Sequence, residues 1–111
     1  MAFNGTPTLM WPGYSSNGTT ISINIADLPG LSVADANTLT GDWRAIMLAI
    51  ISKAYTYYTG LPTADKPAAF VSRAPTIQPV TAGDLINTFK MTYSMDFYNE
   101  YCTPDMADEP T

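Results

Sequence analysis

Residues 88–98 constrain the fold more than any other stretch of this chain. Phe89, Met91, Tyr93, Met95 and Phe97 alternate with Lys90, Thr92, Ser94, Asp96 and Tyr98. A period of two places large side chains on one face only if the backbone is a strand. Burying each of the five is worth about 1.5–3 kcal/mol, and a one-residue slip would expose them all. The register is therefore strongly specified. The opposite face is polar, so one side of the sheet is expected to be solvated or used for contact.

Further elements follow from the same kind of reading. Residues 19–26 alternate Ile21, Ile23 and Ile25 with Thr20, Ser22 and Asn24, a half-buried strand ended by Leu28-Pro29-Gly30. Ser32 to Asp35 and Thr81 to Asp84 have capping-box character, each predicting a short helical turn. Residues 41–59 predict the main helix. Thr40 is the expected N-cap, Asp42 suits the first turn, and Gly60 and Pro62 stop it. At 100° per residue Trp43, Ile46, Met47, Ile50, Ile51, Ala54, Tyr57 and Tyr58 share one face, which is expected to be core. The other face carries Arg44, Ser52, Lys53 and Thr56. It also holds Ala45, Leu48 and Ala49, so it is only weakly polar and leaves room for a second contact. Residues 68–73, around Phe70 and Val71, predict a short strand. Pro75, Pro79 and Gly83 then bound a stretch expected to be loop, being too rich in proline for a central strand.

The expected fold class is therefore α+β. One amphipathic helix (about 41–59) packs on a mostly antiparallel sheet (about 19–26, 68–73 and 88–98) in a two-layer domain. An extended N-terminal arm, residues 1–18, precedes this single domain of residues 19–104, and an acidic tail, residues 105–111, follows it. The arm mixes turn residues with Phe3, Leu9, Met10, Trp11 and Tyr14. A purely flexible tail does not carry so many large apolar groups, so the arm is expected to lie on a surface, its own or a neighbour's.

Charge narrows the function classes. Asp, Glu, Lys and Arg make up 14% of the 111 residues, against about 25% in an ordinary globular protein. Interface cores are depleted of charge in the same way. The net charge is -5. That disfavours nucleic acid and anionic membrane surfaces, both of which are bound through Lys and Arg. The acidity is concentrated from Asp96 onward, through Glu100, Asp105, Asp108 and Glu109. The one cysteine, Cys102, permits no internal disulfide and is expected to remain a thiol. The first residues lack the basic and apolar regions of a secretory signal, so synthesis in the cytoplasm is expected, with incorporation into a virion as the setting for an assembled form.

Chemistry is mostly missing. The chain has no histidine, which removes the commonest general base and metal ligand, and Ser-His-Asp or Cys-His arrangements cannot be built from it. It has no Cys-x-x-Cys, no glycine-rich phosphate loop and no calcium-loop pattern. No catalytic, cofactor-binding or metal-ligating residue is assigned, and no cofactor is expected. Tyrosine and tryptophan suit interfaces, being large with a polar tip. Tyr98 on the polar strand face and Tyr101 join Phe3, Leu9, Met10, Trp11 and Tyr14 as candidate contact residues. These features lead to the expectation of a non-enzymatic structural or assembly protein, of the kind found in virions, including those of bacteriophages. It would be a homo-oligomer or co-assemble with other structural proteins through its arm and sheet. The alternative is a small acidic regulatory or inhibitor module that binds a basic protein partner.

Overall fold

The computed structural model describes residues 6–98, which divide into two compact units between Pro67 and Ala68. The class is α+β: one long helix and antiparallel strand pairs. Phe3, Tyr101, Cys102 and the acidic tail lie outside the described residues.

In the first unit, α1 (Pro7–Met10) opens with proline at its first position, where the missing N–H costs no hydrogen bond. The Trp11 and Tyr14 rings stack with centroids 6.3 Å apart. Strand β1 (Ser15–Ser16) then pairs with β2 (Ile21–Ser22). The Asn17 side-chain carbonyl accepts from the Thr19 and Thr20 N–H groups and shapes the turn between them. Residues 6–18 thus carry a short helix, an aromatic stack and one strand of a ladder. The close approach that seats them needs glycine. A Cβ at Gly13 would run into the Asn24 side chain and stand 2.9 Å from Asp27 Oδ2, the atom to which the Gly13 N–H donates at 2.7 Å. The expected strand over residues 19–26 shortens to β2, because residues 25–27 turn into a 3-10 helix whose Asp27 accepts that bond.

The main helix, α2 (Trp43–Gly60), forms where periodicity placed it. Its N-cap is Asp42 and not Thr40, with Asp42 Oδ1 accepting from the Arg44 N–H at 3.0 Å. The Thr40 N–H is instead bound by the Asn37 side chain, which holds Thr40 in the preceding turn. Ser32 Oγ accepts from Asp35 N–H, as its capping pattern predicts. Past the helix end, Lys66 Nζ donates to the Leu61 carbonyl and lies 5.5 Å from the Tyr58 ring centre.

The second unit is a long hairpin. Strand β3 (Phe70–Ser72) pairs with β6 (Met95–Phe97), and β4 (Thr76–Pro79) with β5 (Phe89–Thr92). The segment around Pro75 and Pro79, expected as loop, is a strand after all. Each ladder has two strands only, so Pro79 can sit where its missing N–H breaks no interior bond. Between the Ser72–Met95 and Thr76–Thr92 pairs, one strand has residues 73–75 and the other only 93 and 94. One extra residue makes a bulge. It resets the alternation of the first strand, so that Phe70 faces Phe97 before it and Ile77 and Pro79 face Met91 and Phe89 after it. The hairpin turns at Asn87, whose φ of 71° lies in the left-handed region that asparagine tolerates. Residues 83–88 are turns closed by Ile86 N–H to the Gly83 carbonyl and Thr88 N–H to the Leu85 carbonyl. The continuous strand expected over residues 88–98 is therefore two strands, β5 and β6, with different partners.

Candidate interaction surfaces

Few large side chains among the described residues are fully buried. Among the described residues the buried hydrophobic groups are Leu28, Ala49 and Ala69. Two are alanines. Several bulkier apolar residues stand exposed on α2 and on the β4–β5 hairpin; others, Ile21, Val33, Leu39 and Leu85, are exposed in turns and in the first ladder.

One face belongs to α2. The residue it buries is Ala49, 6% exposed, on the side that also carries Ala45 and Ser52. Ser52 Oγ turns back to the Leu48 carbonyl at 2.8 Å, which removes its polarity from that side. Small residues let other backbone come close, and α1 lies along α2 in this unit. The stripe expected to be core is left partly outside: Trp43 is 68% exposed and Met47 50%, with Leu48 and Arg44 beside them. Ile46, Ile50, Ile51 and Ala54 are half-buried. The correction has a simple physical cause. A unit made of turns, a two-residue ladder and one long helix has too little mass to cover bulky residues along every turn of that helix.

The other face belongs to the hairpin. Ile77 stands opposite Met91, and Pro79 opposite Phe89, so all four point to one side of the β4–β5 ladder. Thr76, Gln78, Lys90 and Thr92 form the other side. Every one of these eight residues is exposed, with Phe89 at 71%. Of the five large residues expected to share one buried face, Phe89, Met91 and Phe97 are exposed, while Tyr93 and Met95 are half-buried. Around the turn, Pro79, Val80, Ile86 and Phe89 border an open concavity of about 450 Å³. The β3–β6 ladder is better covered. There the Phe70 and Phe97 rings meet at 5.1 Å, and Arg73 pairs with Asp96 at 2.7 Å.

Of the contact residues expected from sequence, Leu9, Met10, Trp11 and Tyr14 come together in one segment. Leu9 is exposed, while Met10, Trp11 and Tyr14 are half-buried. The Trp11 indole N–H is buried and meets no acceptor among the described residues. Tyr98 is exposed at the end of the hairpin, its N–H bound to the Ala69 carbonyl. The exposure of Trp43, Met47, Ile77, Phe89 and Met91 was not legible in the sequence, since periodicity reports which residues share a face and not what covers it. The signal for α2 was in the sequence: Ala45, Ala49 and Ser52 on the supposedly outer face.

The electrostatics are those of a surface. The Arg44 side chain donates to Asp42 and holds that carboxyl below its ordinary range, while the Arg44 guanidinium is held above its own. Arg73 does the same for Asp96, lowering it. Among the described residues no three acidic or cysteine side chains gather as they would around a metal ion, and no helix is long and apolar enough to cross a membrane. Comparison with known protein families, curated proteins and solved structures finds no match to this chain.

Proposed function

We propose that this protein is a non-enzymatic structural subunit that works by assembling, of the kind that builds virions, including those of bacteriophages. One observation supports the reading: apolar side chains on α2 (Trp43, Met47 and Leu48) and on the β4–β5 hairpin (Ile77, Phe89 and Met91) stand open, while among the described residues the buried hydrophobic groups are Leu28 and two alanines. A two-stranded ladder exposed on both sides is marginal in water by itself and gains stability once its apolar side is covered. Low charge fits the same use, since interface cores exclude it. Leu9 and Tyr98 lie outside both faces and extend the surface available to neighbours.

Sedimentation velocity of the pure protein over a micromolar concentration series tests the reading. Self-assembly predicts species larger than one chain that grow with concentration. A single chain throughout, with no uptake of an apolar dye such as ANS, would mean that the faces are neither shared nor open, and would overturn it.

A further inference from the structure

The two open faces differ in kind. The α2 face presents Trp43, Met47 and Leu48, with the exposed Arg44 among them. The hairpin face is a ladder that ends in a concavity bordered by Pro79, Val80, Ile86 and Phe89. A helix stripe and a sheet face are the two surfaces that cover one another in α+β packing. Their sizes also match. Trp43, Met47 and Leu48 offer about 400 Å² of apolar surface at their exposures, and Ile77, Ile86, Phe89 and Met91 about the same. A standard interface buries about 1,600 Å² in total, a little over half of it apolar. These faces together supply most of that apolar share.

We infer that the occupant of the hairpin face is a second copy of this chain, docked through α2, with Trp43 of one copy seated in the concavity beside Phe89 of the next. The inference rests on the assembly reading above and gives it a geometry. Two helix stripes meeting each other would leave the concavity empty, and two hairpin faces meeting would leave Trp43 in water. Pairing unlike faces covers both. It also sets an aromatic anchor against the open hollow at the hairpin turn, and aromatic anchors carry much of an interface's energy. Such contacts are heterologous: each copy gives one face and receives on the other, so assembly continues until a ring closes or a filament grows.

The test uses two full-length variants, Trp43→Lys and Phe89→Lys, each placing a charge on one face at an exposed position. Circular dichroism confirms that each retains the wild-type helix signal. In sedimentation, either variant alone is expected to run as a single chain where the wild type assembles. An equal mixture is expected to give two-chain complexes and nothing larger, since one intact helix face then meets one intact hairpin face. Assembly by either variant alone, or a mixture that stays single-chain, overturns this interface while the wild-type oligomer keeps the broader reading alive. A wild-type chain that never self-associates removes this interface, and if it also takes up no apolar dye it removes the broader reading as well.

Discussion

The α2 unit and the hairpin unit solve the same shortage of core in different ways. Residues 6–67 are held by local backbone and side-chain bonds and by close approaches. Gly13 meets Asp27, Asn37 ties the turn before α2, and Ala49 lets α2 be approached closely. Residues 68–98 are held by ladder hydrogen bonds, one aromatic pair and one surface ion pair. The first unit depends on glycines and caps that admit few substitutions. The second depends on register, which a bulge sets. Neither depends on a filled interior. Many large apolar residues are thus left exposed, while among the described residues the fully buried positions are Leu28, Ala49, Ala69 and Ser72.

The largest expected effect sharpens the contrast on the first side. Gly41 sits in the turn that delivers the chain to α2, and a Cβ there would run into the Asp35 carbonyl oxygen and reach 2.5 Å from that of Asn37. Both obstacles are backbone, held by the bonds from Gly41 N–H to Asn37 and Asp42 N–H to Asp35. They cannot swing aside as a side chain would. Gly41→Ala is expected to destabilise the α2 unit by about 2–4 kcal/mol. Hydrogen exchange should show faster opening of α2 amides with hairpin amides unchanged. Equal losses in both units would break the comparison, because they would make the two one cooperative body.

A smaller effect is expected on the second side. Deleting Ala74 removes the extra residue of the bulge, so Ile77 and Pro79 must either move to the Lys90 side of the ladder or drag the Phe70–Phe97 register with them. Each cross-strand pair lost is worth about 0.2–1 kcal/mol, giving about 1–2 kcal/mol in all. Amides of β4 and β5 should lose protection while α2 keeps its own. A hairpin indifferent to the deletion would show that the bulge does not set its register.

How much of this was legible follows from what each signal measures. Helix α2 was readable because period, stop signal and first-turn acid agreed over many residues. The β5–β6 alternation was readable for the same reason, and its side-chain faces are as expected. The bulge was not. A single inserted residue at Ala74–Pro75 changes parity only relative to a partner strand, and the partner is not visible in local pattern. The Pro75–Pro79 stretch misled for a related reason: proline forbids an interior strand, yet these ladders have no interior strand. Coverage was harder still. Trp43 and Phe89 look like core by chemistry, and only the amount of chain available to cover them decides otherwise. Composition marked Leu9, Met10, Trp11 and Tyr14 in the N-terminal segment as candidates, but the Gly13–Asp27 bond that folds the segment back joins residues without any local pattern.

The smallest expected effect concerns the ion pair that replaces apolar cover on the hairpin. Arg73 donates to Asp96 at 2.7 Å, and this bond holds the Asp96 carboxyl below its ordinary value of 3.8. The folded hairpin therefore binds this proton less readily than the unfolded chain. The pair's contribution is fully present above the unfolded value and is lost as pH falls through the lower folded one. Both side chains are well exposed, so water screens the attraction. In Asp96→Asn the exchange protection of β3 and β6 amides at neutral pH is expected to fall by less than about fivefold. The difference from wild type should vanish as the pH drops below the folded value, where both chains carry a neutral group at position 96. Raised salt should shrink the neutral-pH difference in the same direction. A difference that persists in acid would mean that residue 96 acts through backbone geometry, and the hairpin would then resemble the α2 unit in what holds it.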